Sequence, residues 1–578
     1  MLTSRHEGLS QPVHDVRFLH DVRTPVRDGV RLSCDVYMPK APGPFPTILH
    51  RTPYESNAER FVRWALWWAR RGYAVVCQDA RGCYQSEGTF YAYRHEAEDG
   101  HDTLAWIAER DWSNGKIGTW GRSYGGLVQW DLARLGSPHL TCMAPHVIVD
   151  DYFADYHYVG GAFQLTLSLL AMICWETNYA TAALSGELFF KPEITRHLPL
   201  IELDELTIGR KVPYWRDWLA HPTDGPFWRQ FGTIGTYDRI AVPILQQCGW
   251  YDAYPSATLR MWNGMVAQGK GELARRNQRV LIGPWSHAAP EGSRMGEVDF
   301  GPAADLRLPE VELRWFDHWL KGVDTGLLDE PPVSLFVMGA DAWRGEREWP
   351  LARTRYEPWY LHSGGRANSL HGDGRLSPEP PGGEPPDRYD YDPDRPVPSL
   401  GGNNSTGAWA AQAEEPILPG PYDQRPIERR DDVLVYTSAP LERDLELTGP
   451  VELRLYAASS ARDTDFTARL CDVEPGGRAL NVTEGILRAR YRSGFDRQEL
   501  LEPGEVVELP IRLYDTSRLF RRGHRLRLDV SSSSFPRFSR NLNTGQDVAT
   551  GTAKAIARQT ILHEGRYPSH LILPVVPT

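Results

Sequence analysis

Ser123 lies in the pentapeptide G-R-S-Y-G, residues 121–125, which has the spacing of a nucleophile elbow. In such a turn the serine occupies a strained backbone conformation between a strand and a helix, and the flanking glycines leave room for neighbouring chain. The preceding residues, K-I-G-T-W, predict a strand, and the following ones, Y-G-G-L-V-Q-W, predict a helix. Ser123 is therefore a candidate nucleophile for acyl transfer, provided that the chain supplies a base.

Asp252 and His287 are the candidate partners of this serine. Asp252 follows a predicted strand at 242–249, and His287 follows the next one at 279–284. A serine hydroxyl needs a base to take its proton, and the base is usually a histidine oriented by a buried carboxylate. The order serine, aspartate, histidine along the chain is the order of α/β-hydrolases. We therefore predict a Ser123–His287–Asp252 triad.

An oxyanion needs hydrogen-bond donors, and two tyrosines are in place to supply them. The residue after the nucleophile, Tyr124, offers its backbone N–H. The loop after an early strand reads H-R-T-P-Y-E-S, without an H-G-G-G stretch, but it contains Tyr54, whose phenol could donate. From the residues alone, two interpretations of Tyr54 stay open, an oxyanion donor and a packing side chain.

The elements that must position these groups alternate between strand and helix in the first part of the chain. Short apolar runs at 46–50 and 73–79 predict further strands, and the segments 58–71 and 99–110 predict helices. This alternation is typical of a mostly parallel sheet covered on both faces. Residues 13–37 predict a hairpin that turns at Asp-Gly.

Four regions follow from changes in this pattern: 1–144 and 239–325 as two parts of an α/β-hydrolase domain, 145–238 as an inserted helical cap, and 326–578 as a C-terminal β domain, a sandwich or jelly roll. We place the cap at the carboxyl ends of the strands, where open α/β sheets bind ligands. The composition of residues 363–396, rich in Pro, Gly and Asp, predicts a loop without regular structure.

The composition excludes several classes of function. The chain has 578 residues, 41% hydrophobic and 24% charged, and a net charge of −11, which argues against nucleic acid and anionic membranes as partners. The longest apolar run, 165–174, is too short to span a bilayer and predicts a buried helix. The N-terminus has no apolar segment of a secretory signal, and seven cysteines include no C-x-x-C pair, so we expect a cytoplasmic protein.

No metal or organic cofactor is predicted. The segment H-E-A-E-D-G-H, 95–101, has some likeness to a zincin motif, but its histidines lack the i, i+4 spacing that would place them on one helix face.

The sequence resembles the bacterial cocaine esterase family, also called the CocE/NonD hydrolases, which are related to X-Pro dipeptidyl peptidases and α-amino-acid ester hydrolases. The resemblance extends over nearly the whole chain. It is carried by R-D-G-V-R-L-S-C-D-V-Y-M-P (27–39), R-T-P-Y (51–54), G-R-S-Y-G-G (121–126), G-W-Y-D-A-Y (249–254), G-P-W-S-H (283–287), V-S-L-F-V-M-G-A-D-A-W-R (333–344) and S-S-S-S-F-P-R-F-S-R-N-L-N-T-G (531–545).

The resemblance implies an α/β-hydrolase fold with a helical cap and a C-terminal jelly roll. It implies the triad named above, and it assigns the Tyr54 hydroxyl and the Tyr124 backbone N–H as oxyanion donors. It also implies a small-molecule ester as substrate, no cofactor, and a homodimer, which family members often form.

Alignment with this family also implies a substrate pocket. Tyr156, Ala171, Tyr254 and the stretch 403–406 correspond to the walls of the acyl pocket, and we add Trp285, two residues before the predicted catalytic histidine. Two walls are smaller or more polar than in the family's aromatic acyl pocket. We therefore expect a wider, less apolar pocket and poor hydrolysis of cocaine itself.

Two alternatives stay open. An aminopeptidase or amide or β-lactam acylase needs an anionic pocket for a substrate ammonium, and only the cap carboxylates Asp150, Asp151 and Asp155 could supply one. A non-catalytic binding protein would use the C-terminal domain to hold a ligand. Neither the acyl and alcohol groups nor the oligomeric state follow from the sequence.

Overall fold

The structure, a computed structural model, describes residues 8–177, 188–287, 292–406 and 416–577. The chain opens with the predicted hairpin, whose strands pair antiparallel around Asp28 and Gly29. A glycine is required at the turn because its φ is 86°. The first part of the hydrolase domain contains β1 Val16–Pro25, β2 Arg31–Pro39, β3 Phe45–Thr52, β4 Ala74–Asp79, β5 Ser113–Arg122 and β6 Leu140–His146, with α1 Glu59–Ala69, α2 Glu96–Ala108 and α3 Tyr124–Ala133.

The cap is inserted after β6 and is largely helical. Its apolar run forms a buried helix, as predicted, because it is apolar on every face and is packed on all sides. The elements are a π-helix at Tyr152–His157, β7 Tyr158–Val159, β8 Ala162–Phe163, α4 Leu165–Glu176, α5 Pro192–Thr195, α6 Leu203–Ile208, α7 Pro213–Ala220 and α8 Pro226–Arg229, with 3₁₀ turns at Leu200–Glu202 and Tyr237–Arg239. No helix in the described part of the chain is both long and apolar enough to cross a membrane.

The hydrolase sheet resumes after the cap. Its elements are β9 Ile244–Gly249, α9 Pro255–Gln268, α10 Gly271–Arg276, β10 Gln278–Gly283, a small hairpin of β11 Arg294–Met295 and β12 Val298–Asp299, α11 Leu308–Lys321, β13 Val333–Val337 and β14 Ala342–Glu346, with 3₁₀ turns at Pro302–Ala304 and Leu327–Asp329. The ten strands follow the order β1-β2-β4-β3-β5-β6-β9-β10-β13-β14. All pairs from β4 to β13 are parallel, and β13 and β14 extend the sheet beyond residue 325, where the sequence predicted the jelly roll to begin.

The C-terminal domain is built almost entirely of strands. They are β15 Arg355–His362, β16 Arg375–Ser377, β17 Asp387–Tyr391, β18 Leu434–Thr437, β19 Leu445–Gly449, β20 Glu452–Ser459, β21 Asp465–Val473, β22 Ala479–Arg488, β23 Val507–Arg512, β24 Thr516–Phe520, β25 Arg525–Ser531, β26 Ala557–Glu564, β27 Tyr567–Pro568 and β28 His570–Val576, with one short helix, α12 Arg425–Glu428, and a 3₁₀ turn at Ala489–Tyr491. Along β20 buried and half-buried residues alternate, as the sequence predicted.

The prediction that residues 363–396 lack regular structure is wrong. β16 and β17 lie in this segment, and β17 pairs antiparallel with β26. The side chains of Asp387, Tyr389 and Tyr391 alternate with exposed ones and are buried. Burial of two tyrosine rings in the C-terminal core therefore outweighs the unfavourable composition on either side of the strand.

The cap and the C-terminal domain meet backbone to backbone at the β7–β8 hairpin. Gly160 has a φ of +57°, its carbonyl accepts a 2.8 Å hydrogen bond from the N–H of Arg488, and a Cβ placed on it would lie 1.8 Å from the carbonyl oxygen of Ile486. Only glycine allows this close approach. The hairpin therefore fixes the position of the cap on β22.

We predict that Gly160→Ala destabilises the protein by about 1–3 kcal/mol more than Gly115→Ala, because it adds overpacking to a similar backbone penalty. Gly115 is the matched control, since its φ is +80° and a Cβ placed on it would meet nothing within 4 Å. Thermal unfolding midpoints of the two variants make the comparison. Equal midpoints would contradict a tight contact between cap and C-terminal domain.

Candidate active site

Ser123 forms the sharp turn between β5 and α3. Its φ and ψ are 55° and −125°, a conformation that is strained for any residue with a side chain. A Cβ on Gly121 would lie 2.5 Å from the carbonyl oxygen of Gly125, and one on Gly126 would lie 2.6 Å from the side chain of Ile148. The glycines are therefore needed for close approach, and Ser123 stays partly exposed at the start of the helix.

Asp252 and His287 meet in the loops that follow two adjacent parallel strands, β9 and β10. The Nδ1 atom of His287 lies 2.9 Å from Oδ2 of Asp252. Because an ionised carboxylate can only accept, Nδ1 carries the hydrogen of this bond and Nε2 is the basic nitrogen. Asp252 is fully buried, whereas the His287 side chain is 17% exposed. A single strand, β6, separates β9 from β5, so all three predicted triad residues lie at one edge of the sheet.

Ser405 is a second partner of the buried aspartate, and the sequence analysis did not single it out. Its hydroxyl donates to Oδ1 of Asp252 over 3.0 Å. The residue belongs to the stretch 403–406, which the family alignment assigned to the pocket wall. The aspartate therefore has a histidine on one oxygen and a serine of the C-terminal domain on the other.

Tyr54 and Tyr124 are linked through Trp175 at the end of α4. The indole N–H of Trp175 donates to the phenol oxygen of Tyr54 over 3.2 Å. Its ring also lies edge-on to that of Tyr124, with centroids 5.1 Å apart. The Tyr54 oxygen accepts this bond, so its own O–H hydrogen takes no part in it. The sequence analysis missed Trp175, although it lies one helical turn after Ala171, which was predicted to line the pocket.

A buried polar network holds the Tyr124 side chain, and with it the first turn of α3. The Tyr124 hydroxyl donates to Oε1 of Glu96 over 3.0 Å and accepts from the backbone N–H of Tyr93. Glu96 is paired in turn with Arg51 at 3.1 Å, both side chains being almost inaccessible. Burial raises the pKa of the Tyr124 phenol well above its usual range. Glu96 lies in the segment 95–101, which was compared above with a zincin motif. Here its carboxylate supports the elbow by binding the Tyr124 hydroxyl.

His50 lies directly beneath the elbow but is unsuited to act as the base. Its Nδ1 lies 3.1 Å from the carbonyl oxygen of Trp120, and the ring is in contact with Gly125. Burial lowers the pKa of His50 to about 4. The ring is therefore neutral and packs against the turn that presents Ser123.

Two predicted pocket tyrosines pack on each other, and one of them also packs against the His287 ring. The rings of Tyr156 and Tyr254 are stacked with centroids 6.0 Å apart, and Tyr254 meets the His287 ring edge-on at 5.7 Å. Ala171 is buried on α4 in the same hydrophobic cluster. Tyr254 and the predicted oxyanion donor Tyr124 also belong to this cluster, and Tyr156 and Tyr54, the other predicted oxyanion donor, pack against it.

Trp285 is not part of this group. Its indole N–H donates to the carbonyl of Ala304 over 2.9 Å, and its ring packs on Trp343 at 5.6 Å. It belongs to the separate cluster that includes Trp68 of α1 and Trp315 of α11. Although Trp285 lies only two residues before His287 in the sequence, its side chain therefore packs in a different hydrophobic cluster from the other predicted pocket residues.

The cap carboxylates are engaged by a cation and by backbone. The guanidinium of Arg260, on α9, bonds Asp150 and Asp155 together, and the Tyr237 hydroxyl donates to Asp150. Asp151 accepts from two backbone N–H groups at 2.9 Å, as the N-cap of the π-helix. Burial raises the pKa of Asp151 to about 7. All three carboxylates thus have partners within the protein, which lessens the negative charge available to a substrate ammonium.

Within the described residues, one group of side chains could hold a metal ion: Glu428, Cys471 and Asp529, buried in the C-terminal domain. Arg527 pairs with Glu428, which supplies the cluster with positive charge from the protein. Glu428 ends α12, Cys471 lies in β21 and Asp529 in β25, on elements other than those that carry Ser123, Asp252 and His287. The predicted chemistry draws on none of them.

Two family profiles match consecutive parts of the chain. The X-Pro dipeptidyl-peptidase (S15 family) profile matches residues 28–289, and the X-Pro dipeptidyl-peptidase C-terminal non-catalytic domain profile matches residues 325–572. Cocaine esterase from Rhodococcus sp. (strain MB1 Bresler) is 37% identical over 96% of this chain and 98% of its own length.

Solved structures agree with this assignment. An α-amino acid ester hydrolase superposes with a TM-score of 0.83 at 25% identity, covering 99% of this chain and 98% of the other. An aminopeptidase from a marine sediment Thaumarchaeota archaeon has a TM-score of 0.81 at 24% identity, covering 98% and 97%, which shows a shared fold. Sequence identity, matched domains and fold together place this chain in the cocaine esterase (CocE/NonD) family of serine ester hydrolases.

Proposed function

We propose that this protein hydrolyses a small-molecule carboxylic ester through a covalent acyl-enzyme, with Ser123 as nucleophile, His287 as base and Asp252 as its orienting acid. The observation that carries the proposal is the 2.9 Å contact between His287 Nδ1 and the buried Asp252, at the sheet edge where Ser123 forms a strained elbow. A strained turn and a buried carboxylate both cost free energy, and such costs are concentrated at functional sites.

The first step is attack of the Ser123 hydroxyl oxygen on the ester carbonyl carbon. His287 takes the hydroxyl proton at Nε2 as the new C–O bond forms, and the carbonyl electrons move onto its oxygen. Asp252 stays ionised, holds the Nδ1–H and stabilises the imidazolium. When the tetrahedral intermediate collapses, the bond to the alkoxy group breaks and His287 returns the proton to the leaving alcohol.

The second step is the reverse of the first with water in place of the alcohol. His287 removes a proton from water, the hydroxide attacks the acyl carbon, and Ser123 leaves with the proton returned by His287. The residues that we assign to the chemistry supply every proton transfer in both steps.

The Tyr54 hydroxyl and the Tyr124 backbone N–H are proposed to stabilise the oxyanion. The N–H of Tyr124 is at the first residue of α3, where backbone N–H groups have no partner within the helix. The Trp175 indole N–H on the Tyr54 oxygen supports the second assignment, because it fixes the phenol and makes its O–H a better donor.

The acyl group is proposed to lie against Tyr156 and Tyr254. Ala171 is a small side chain on α4, and the polar stretch 403–406 borders the catalytic loop through Ser405. We therefore expect moderately polar acyl groups to be accepted, and cocaine, with its apolar aromatic acyl group, to be a poor substrate. A cytoplasmic location fits seven cysteines that are all free and buried, and a homodimer stays a prediction from the family.

We predict that Ser123→Ala abolishes hydrolysis of a simple aryl ester and labelling by a fluorophosphonate probe, because no other group in the proposed mechanism can form the acyl-enzyme. Residual catalysis of about 10³ over water, from binding and the oxyanion donors, is the most that is expected. An unchanged thermal unfolding midpoint would show that the fold is intact. Labelling of the variant at the wild-type rate would mean that a different residue is the nucleophile, and absence of labelling in the wild type would favour a binding protein.

We predict that Tyr54→Phe lowers kcat by about 10²–10³-fold with little change in KM, since the hydroxyl acts on the oxyanion of the transition state. Tyr389→Phe is the matched control. It also removes a buried phenol hydroxyl, here one that bonds Ser532 in the C-terminal domain at 2.9 Å. Steady-state kinetics on one aryl ester compares the two. Equal kcat values for both variants and the wild type would remove Tyr54 from the oxyanion site.

An aminopeptidase or amide acylase is the rival activity, and the contacts of the cap carboxylates argue against it. We predict that an aryl ester of a plain acid has a higher kcat/KM than the same ester with an α-ammonium group, and than an aminoacyl-proline anilide. The physical reason is that Arg260 already pairs with Asp150 and Asp155, which lessens the negative charge available to a substrate ammonium. A kcat/KM about 10-fold higher for the ammonium substrate, which corresponds to 1.4 kcal/mol, would support the rival.

A further inference from the structure

We infer that Ser405, from the C-terminal domain, is a positioning residue of the triad, and that this domain completes the active site by fixing the acid. The inference rests on the proposed function, because it assigns Asp252 as the triad carboxylate. It concerns a residue that acts on the reaction through Asp252 and His287.

Three consecutive residues of the C-terminal domain bond three consecutive residues of the aspartate loop. The Asn403 side-chain amide donates to the carbonyl of Trp250, and the Asn404 backbone N–H donates to the carbonyl of Tyr251 over 3.2 Å. The Ser405 hydroxyl then reaches Oδ1 of Asp252 over 3.0 Å. The Ser405 hydroxyl bond to Asp252 is therefore the last of three consecutive contacts between the two segments. The first two hold the aspartate loop in the position that allows the third.

The segment that carries Ser405 is itself anchored in the C-terminal domain. The backbone N–H of Asn403 donates to Oε1 of Glu484 over 3.2 Å, and the buried Glu484 is paired with Arg469 and Arg537. Gly402 exchanges backbone hydrogen bonds of 2.8 and 3.0 Å with Gly420. These contacts anchor the segment, and with it they fix the position of the Ser405 hydroxyl.

A donor on Oδ1 has a definite chemical consequence. Asp252 is fully buried, and a buried carboxylate is costly unless its oxygens accept hydrogen bonds. Ser405 stabilises the ionised form and fixes the carboxylate plane, so that Oδ2 points at His287 Nδ1. Without the hydroxyl, Oδ1 of the buried carboxylate loses this donor, and the carboxylate can rotate away from its productive orientation.

Ser405→Ala is expected to lower kcat by about 10-fold or more, the loss typical of one hydrogen bond to a charged group, with KM changed less than about 3-fold. Ser405→Thr keeps the hydroxyl and should restore most of the kcat.

Ser399→Ala is the matched control. This serine is also buried in the C-terminal domain, and its hydroxyl bonds that of Ser534 at 2.9 Å. It should keep the wild-type kcat and KM. A Ser405→Ala enzyme with wild-type kcat would overturn the inference, and so would a kcat loss of the same size in Ser399→Ala. Ser123→Ala separates the two levels of the argument, since activity in that variant contradicts the proposed function, whereas full activity in Ser405→Ala alone contradicts only the role of Ser405.

Discussion

The buried charge of Asp252 is the constraint on which the arrangement of this molecule depends. A carboxylate cannot stay ionised inside a protein without donors, and here the donors come from two places, His287 on the neighbouring strand loop and Ser405 on the C-terminal domain. The proposed active site therefore draws on both domains, although the three proposed catalytic residues lie in loops of the hydrolase domain.

The cap contributes a second set of contacts, which is aromatic. Trp175 reaches the phenol of Tyr54 with its N–H and the ring of Tyr124 with its edge, so that one side chain orders both proposed oxyanion donors. Such a group is useful because oxyanion stabilisation requires donors that are fixed before the charge develops. The Gly160 contact with the backbone of β22 holds the cap in place, and thereby holds Trp175.

The charges of the cap bear on the proposed substrate class. A carboxylate that is already paired attracts a substrate ammonium less, and Arg260 pairs with both Asp150 and Asp155. The side chain of Asp151 accepts hydrogen bonds from two backbone N–H groups at the N-terminus of the π-helix. The pocket that remains is bordered by tyrosines and by the polar stretch 403–406, which fits a neutral ester better than an amino-acid derivative. The fold alone does not decide this, because hydrolases of different specificity share it.

The sequence by itself determined the features that rest on local rules: the glycine spacing of the elbow at Ser123, the strand and helix pattern, and acid and base placed directly after successive strands. Parallel topology then brings Asp252 and His287 to one edge without further information. Only the tertiary structure decided how distant segments meet. Strand β17 forms in a stretch whose composition disfavours it, Trp285 packs away from the site, and Trp175, Arg260 and Ser405 acquire their partners. The physical reason is that the contacts of β17, Trp175, Arg260 and Ser405 join residues more than one hundred positions apart, where periodicity and spacing carry no signal and only packing of the whole chain selects the partner.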